Sequence, residues 1–204
     1  CPALTQADGS FLPLSSILLR IALSPQARQQ AWAEMDAQAA EAHRLGVSLD
    51  HLDSHHHVHL FGPLLGRAIT LAEELRVPLR LPAEPLTAAD WLRDREAALA
   101  SYLATRARRK RRLRQAADHT LGLRLHRTGF DGETLIRVLA AIPEGVTEFI
   151  CHPGHADDQL SRLSRYVYPR AGELAALTHP RLRSALEEAG VRLTNWKRSS
   201  TTME

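Results

Sequence analysis

The chain has 204 residues, of which 44% are hydrophobic and 24% are charged, with only ten aromatic residues. This length is sufficient for a globular domain with a buried core, and the hydrophobic share argues against intrinsic disorder. The two cysteines cannot form a disulfide framework, and no apolar run approaches the ~18 residues of a membrane span. A reducing compartment, the cytoplasm, is therefore the expected location.

The positive charge is concentrated in one segment. The formal net charge is +3, but seven of the 26 basic residues lie between Arg106 and Arg114, and the rest of the chain has a net charge of −4. Such a run either binds phosphates or anionic lipid heads, or forms the solvated face of a helix. No aromatic residues alternate with these arginines, so nucleic acid is not an expected partner. Weak contact of Arg106–Arg114 with a membrane surface stays open.

Strand and helix patterns alternate along the chain after a loop-like start over residues 1–23. The sequence predicts, in chain order, a helix from Ser24-Pro25 to Gly46, a strand Val47–Leu52, a helix Pro63–Leu75, a strand Val77–Leu81, a helical segment 90–116, a strand His119–Leu125, a helix Asp131–Ile142, a strand Val146–Cys151, a helix Pro180–Ala189 and a strand Val191–Trp196. This alternation is typical of parallel strands with crossover helices, so the expected fold is α/β, either an open doubly wound sheet or a (β/α) barrel. Without repeats or low-complexity linkers, residues 1–204 are expected to form a single domain.

Five histidines lie within nine residues, in the run His51-Leu-Asp-Ser-His-His-His-Val-His59. Imidazole commonly binds Zn, Ni or Fe, and carboxylates complete such sites. In an extended chain Asp53, His55, His57 and His59 point the same way, whereas in a helix His55 and His59 become neighbours. Either conformation presents imidazoles and a carboxylate at the end of a strand, where parallel α/β folds place their active sites. The run therefore predicts a metal or catalytic site.

A second candidate segment, Cys151-His152-Pro153-Gly154, also follows an apolar strand. In a parallel fold it is expected at the same edge of the sheet as the histidine run. His152 is a candidate general acid or base, the alternative being a hydrogen-bonded histidine in a turn. Cys151 is a candidate nucleophile, but its place at the end of an apolar run favours a buried thiol.

Together these segments resemble the signature of the YdjC-like carbohydrate deacetylases, a family with chitooligosaccharide deacetylases and a hopanoid-biosynthesis-associated branch. The resemblance rests on the run His51–His59, on the segment Val146–Gly154, and on a Tyr-Pro-Arg…Glu-Leu…Leu-Thr stretch over residues 168–178. Ala117-Asp118-His119 with Gly122 is similar to a segment of the hopanoid branch.

The resemblance implies a (β/α) barrel-like domain with a divalent metal ion, Mg or Zn, that removes acetyl groups from N-acetylated sugars. Imidazole-rich ligation is also compatible with Ni, Co or Mn. By resemblance His55 and His59 are metal residues, with His57 and His59 acting either as further ligands or as partners of ligands. His152 is implied as the acid that protonates the leaving amine, and Asp53 as a catalytic carboxylate that orients a ligating imidazole.

Two N-terminal motifs of the family, of the type Ala-Asp-Asp-Phe-Gly and Gly-(Leu/Met)-His, do not occur in the sequence, which begins at Cys1-Pro2. We therefore expect a barrel incomplete at its N-terminus and a metal site that lacks donors. Three functions stay open: deacetylation of an N-acetylated carbohydrate such as a chitooligosaccharide, deacetylation of a glycosylated hopanoid-type lipid, and a non-catalytic remnant that binds a metal or a sugar. A homo-oligomer is compatible with each of them.

Overall fold

The computed structural model describes residues 1–110, 117–125, 129–155, 157–163 and 169–196. These residues divide into two compact units, the first formed by Cys1–Arg80 and the second by the described residues from Leu81 onward. The single domain expected over residues 1–204 stays a prediction, and each unit is described by itself below.

The first unit contains helices α1 (Leu14–Leu23), α2 (Pro25–Arg44) and α3 (Gly62–Leu75), with a 3₁₀ turn over His55–Leu60. The helix predicted to begin at Ser24-Pro25 is confirmed, because the Ser24 hydroxyl accepts a hydrogen bond from the Ala27 N–H at 3.2 Å. Its predicted end is also confirmed. Gly46 has a φ of +78°, and the Gly46 and Val47 N–H groups donate to carbonyls of the last turn.

The start of the chain differs from the expectation of a loop over residues 1–23, because Leu14–Leu23 forms α1. Ile17 and Ile21 lie one helical turn apart and both pack against the core of this unit, which explains why the apolar run adopts a helix. The buried members of that core are Leu4, Ile21, Ala27, Ala31 and Leu64.

The strands predicted over Val47–Leu52 and Val77–Leu81 are reduced to one parallel bridge between Leu52 and Leu79. The Leu52 N–H donates to the Pro78 carbonyl at 2.8 Å, and the Arg80 N–H donates to the Leu52 carbonyl at 2.9 Å. Pro78 has no N–H to extend the pairing, so the ladder is short. The bridge nevertheless places Asp53 and Arg80 side by side where the two segments end.

The second unit contains two strands and six helices among its described residues. They are α4 (Ala88–Arg93), α5 (Arg95–Lys110), β1 (His119–Leu121), α6 (Gly132–Ala140), β2 (Thr147–Phe149), α7 (Asp158–Leu163), α8 (Arg170–Leu177) and α9 (Leu182–Glu188). β1 and β2 pair in parallel, with Thr120 opposite Glu148. Parallel strands connected through a helix confirm the α/β class that the alternating pattern predicts.

The core of the second unit lies where α6, α8 and α9 meet, around Leu135, Ala176 and Leu186. The predicted N-terminus of α6 is confirmed, since the Asp131 carboxylate accepts a hydrogen bond from the Thr134 N–H at 2.7 Å. Hydrophobic packing of short capped helices therefore supports the two strands.

The strand predicted over Val191–Trp196 is wrong, because those residues are not paired with any strand of the described chain. Gly190 ends α9 with a φ of +69°, and the Val191 N–H donates to the Leu186 carbonyl at 2.8 Å. This cap uses the Val191 donor, and the next apolar residue, Leu193, is exposed.

Among the described residues, no helix has both the length and the hydropathy that a bilayer crossing requires. The cytoplasmic location stays a prediction. Within the basic segment, α5 extends to Lys110, while Arg111, Arg112 and Arg114 lie outside the described residues.

Substitution of Gly122 tests the pairing of β1 with β2. Gly122 has a φ of +114°, and a Cβ atom added there would overlap the backbone carbonyl of Ile150. We expect Gly122→Ala to lower the free energy of unfolding by about 3 kcal/mol or more, measured by urea denaturation. Gly66→Ala is the matched control, because its Cβ would meet no atom within 4 Å. In the middle of α3 it should stabilise the protein by about 0.5–1 kcal/mol, and equal effects of the two substitutions would contradict the model.

Candidate active site

The histidine run forms a tight turn between Leu52 and the start of α3. The 3₁₀ conformation is interrupted at His56 and His57, where the backbone has left-handed φ angles of +53° and +51°. Left-handed conformations cost a non-glycine residue on the order of 1–3 kcal/mol, and they persist only where surrounding contacts impose them. The turn must therefore be held by other interactions of the motif.

His59 supplies those interactions from a side chain that is only 3% exposed. Its Nε2 lies 2.8 Å from the Arg80 carbonyl oxygen, and its Nδ1 lies 2.7 Å from the Ser54 hydroxyl. Since a carbonyl only accepts, Nε2 carries the proton, and Nδ1 accepts from Ser54. The Ser54 oxygen in turn accepts from the His59 N–H at 3.0 Å. Burial lowers the pKa of His59 to about 4, so this imidazole is neutral at physiological pH.

Asp53 forms the charged part of the site. One carboxylate oxygen lies 3.3 Å from Nδ1 of His57, and the other pairs with the Arg80 guanidinium. Burial alone would raise the pKa of Asp53, but the His57 hydrogen bond and the charge of Arg80 outweigh it and hold the pKa well below its usual range. Asp53 is therefore an anion, and by accepting from Nδ1 of His57 it leaves Nε2 as the basic nitrogen of the neutral ring.

The described residues do not provide a complete set of donors for the metal ion predicted at His55 and His59. Within the part of the chain that the structure describes, no three His, Cys, Asp or Glu side chains are arranged to hold a metal ion. Both ring nitrogens of His59 are already hydrogen-bonded, whereas His55 lies on the exposed side of the turn. These residues alone do not fit a complete metal site, and His55 and His59 as ligands stay a prediction.

His152 belongs to the second unit, where a buried carboxylate holds its backbone. The His152 N–H donates to Oε2 of Glu173 at 2.5 Å, and the Gly154 N–H donates to the Arg170 carbonyl at 3.3 Å. Glu173, in the first turn of α8, is only 1% exposed, and this burial raises its pKa, against which the His152 N–H and the charge of Arg170 act. The turn after β2 is thus attached to α8, and the chemical role predicted for His152 stays a prediction.

Cys151 and Asp118, two further residues of the predicted signature, make contacts within the second unit. Cys151, expected as a buried thiol, is half-buried and packs with Phe149 against the core of this unit. The Asp118 carboxylate accepts from the Val146 N–H at 2.8 Å and so joins the start of β1 to the start of β2. Of the Tyr-Pro-Arg stretch, Tyr168 lies outside the described residues.

Two residues of these sites receive no role from the sequence alone. Arg80 ends an apolar segment opposite Asp53, and Glu173 is the glutamate of the Tyr-Pro-Arg…Glu-Leu…Leu-Thr stretch. A charged residue within or just after an apolar run is the signal that could have singled them out, because burial of a charge requires a partner.

The second unit has two parallel strands, and the first has a histidine-rich turn after the Leu52–Leu79 bridge. These features define an α/β protein with a candidate active site. The model of the family described as "YdjC-like protein" matches residues 1–188, and the chain belongs to this family.

Several proteins of the family are similar to the chain. A carbohydrate deacetylase of Vibrio parahaemolyticus is 29% identical over all of the chain and 70% of its own length. A chitooligosaccharide deacetylase of Klebsiella pneumoniae is 32% identical over 72% of the chain and 52% of its own length. A crystal structure from Enterococcus faecalis, of a candidate cellobiose-phosphate cleavage protein, matches with a TM-score of 0.67 and 26% identity over 97% of the chain and 69% of that protein. The chain thus spans between about half and 70% of the length of these proteins.

Alanine substitutions of His59 and His55 test whether the buried histidine, and not the exposed one, stabilises the turn. We expect His59→Ala to lower the free energy of unfolding by about 2–4 kcal/mol, because it removes buried hydrogen bonds and leaves a cavity. His55→Ala should change it by less than about 0.5 kcal/mol, as is usual for an exposed side chain. Urea denaturation measures both values, and a larger loss for His55→Ala would refute the role assigned to His59.

Substitution of Glu173 tests the attachment of the His152 turn. Glu173→Leu should cost about 1–3 kcal/mol, since it leaves the His152 N–H without its acceptor, whereas Glu173→Gln keeps an acceptor oxygen. A raised pKa means that the folded state binds the proton more tightly, so the native protein loses stability as pH rises through that pKa. The stability of Glu173→Gln relative to the unchanged protein should therefore increase as the pH rises above the ordinary glutamate pKa of about 4. Glu188→Gln, on an exposed residue of α9, should show no such growth.

Proposed function

We propose that the protein hydrolyses the acetamide of an N-acetylated carbohydrate, of the chitooligosaccharide class, and releases acetate. Membership of the YdjC-like family and the names of its relatives, carbohydrate deacetylase and chitooligosaccharide deacetylase, support the reaction class. The observation that carries the proposal is the Asp53–His57–Arg80 arrangement, because a permanent carboxylate that orients an imidazole is suited to hydrolytic chemistry.

Hydrolysis of an amide requires an activated water, a polarised carbonyl and a proton for the departing amine. Asp53 is unsuited to deliver that proton, because its pKa lies well below the usual range. In the proposal it orients His57 and keeps Arg80 in place, and Nε2 of His57 accepts a proton or a ligand. His152 is the proposed acid, since a histidine exchanges protons near neutral pH and Glu173 fixes the backbone from which its ring projects.

We further propose that the site binds a divalent metal ion, Mg or Zn. The roles of Asp53, His57 and His152 do not depend on this ion. Such an ion lowers the pKa of a bound water and polarises a carbonyl. His55 is the proposed ligand from this chain. His59 is proposed as the residue that fixes the turn beside it, because its two ring nitrogens are engaged.

A glycosylated lipid of the hopanoid type is the second candidate substrate for the same reaction. The observation in its favour is that Arg106 and Arg109 are exposed on the same side of α5. Cationic side chains of this kind add attraction to an anionic membrane surface, and that attraction weakens with salt. Arg108 does not contribute, since its guanidinium donates to the carbonyls of Leu81 and Asp118.

Acetate release from the trimer of N-acetylglucosamine tests the reaction and the role of His152 together. We expect His152→Ala to lower kcat by about 100-fold or more and to remove the limb of the pH profile that requires a protonated acid. His155→Ala is the control, because His155 is exposed in the same segment, and it should leave both measurements unchanged. An intact rate and pH profile in His152→Ala would rule out the acid role.

Metal analysis of the same variants tests the ion. We expect His55→Ala to lower the bound metal content at least about tenfold, as is typical for loss of a metal-binding side chain, and His56→Ala to retain it. A protein that releases acetate after chelator treatment, with no metal left, would refute the metal proposal and leave the deacetylase proposal standing.

A further inference from the structure

The second unit contains an open pocket of about 620 Å³ between the segment after Leu81 and one face of α5. Its lining combines aromatic, hydroxyl and charged side chains, namely Glu84, Trp91, Tyr102, Thr105, Arg106 and Arg109. The volume falls within the range of about 300–1,000 Å³ that is usual for small-molecule sites. None of these residues takes part in the arrangements around His59 or His152.

Two aromatic rings form one side of the pocket. Trp91 is 40% exposed and Tyr102 is 50% exposed, and their ring centroids lie 6.4 Å apart with the planes at 65°. Edge-to-face contact between two aromatic rings fixes their orientation while part of each ring stays in water. Large amphipathic side chains held in this way are typical of binding surfaces for ligands that have both apolar and polar faces.

Polar groups surround these rings. Arg106 donates to the Tyr102 hydroxyl at 3.4 Å, which places a guanidinium beside the aromatic side. Arg109 is exposed and supplies a second guanidinium to the lining of the pocket. Glu84 also lines the pocket and is nearly buried, with Oε2 accepting from the Arg124 N–H at 3.2 Å. The Ser101 hydroxyl donates to the Glu84 carbonyl at 2.5 Å and fixes that segment against α5.

This combination matches the chemistry of a pyranose ring. Such a ring presents C–H groups on its faces, which pack on aromatic rings, and hydroxyls around its edge, which pair with guanidinium and carboxylate groups. An anionic lipid surface fits less well, because the pocket is concave and carries the Glu84 carboxyl, and because the most exposed apolar neighbour, Leu92, does not line it.

We propose that this pocket binds sugar rings of an N-acetylated oligosaccharide, with Trp91 and Tyr102 as the stacking surface and Arg106 and Arg109 as donors to hydroxyls. The proposal rests on the proposed carbohydrate function and adds to it a binding site outside the histidine motif. The interaction is with an uncharged ligand, so its affinity should depend little on ionic strength.

Titration calorimetry with the trimer of N-acetylglucosamine tests the pocket directly. We expect Trp91→Ala and Tyr102→Ala each to raise Kd about tenfold, as loss of an aromatic contact typically does. Tyr102→Phe keeps the ring and should stay within about threefold of the unchanged protein. Leu92→Ala and Leu99→Ala are matched controls, because these residues are 80% and 50% exposed on the same helices and do not line the pocket. Both controls should bind as the unchanged protein does.

Three results would overturn the proposal. They are no binding of the trimer by the unchanged protein, an affinity of Trp91→Ala and Tyr102→Ala equal to that of the unchanged protein, and a loss of affinity in the leucine controls as large as in the aromatic variants. Co-sedimentation with vesicles rich in an anionic lipid tests the alternative, that the same surface binds a membrane. Vesicle binding that weakens at high salt and depends on Trp91, without binding of the trimer, would assign the surface to a membrane instead.

Acetate release separates this proposal from the proposed function. Trimer binding that depends on Trp91, in a protein that releases no acetate, would refute the deacetylase proposal and support the pocket. Acetate release with the same KM in the unchanged protein and in Trp91→Ala, together with equal calorimetric affinities, would refute the pocket and support the deacetylase.

Discussion

The buried imidazole of His59 is the interaction on which the geometry of the histidine motif depends. It joins the Ser54 side chain to the Arg80 backbone with its two ring nitrogens, and so closes a turn whose backbone is strained at His56 and His57. Without this closure, the positive φ angles would relax and the His57 ring would lose its place beside Asp53. In this geometry His59 fixes the turn from which the neighbouring histidines extend.

The turn at His152 is organised on a similar physical basis within its own unit. A nearly fully buried carboxylate, Glu173, accepts the backbone N–H of His152 and thereby attaches a strand end to the first turn of α8. Burial of such a group is costly unless it is paired, and the His152 N–H supplies a partner for Oε2. A buried polar side chain therefore fixes the backbone of each turn. It is His59 in the histidine motif and Glu173 of α8 in the turn at His152.

How much of this arrangement is predictable depends on the range of the interaction. The boundaries of α2 and α6 follow from the local chemistry of Ser24 and Asp131, so the sequence predicts them well. The α/β class follows from alternation along the chain, and the two candidate segments follow from residue type. The pairing of Asp53 with Arg80 joins residues 27 positions apart, and periodicity carries no information about such a contact. The strand predicted at Val191–Trp196 fails for a local reason, because the cap at Gly190 uses the Val191 N–H that a strand would need.

Gly122 shows how a feature of the fold can be mistaken for a feature of the chemistry. Its positive φ and the closeness of the Ile150 backbone exclude every side chain at that position, whatever reaction the protein performs. Related chains that pair the same two strands at the same separation must carry glycine there even if they have lost all activity. Agreement at position 122 therefore measures shared architecture, and evidence of shared catalysis has to come from positions at which the backbone leaves room for other side chains.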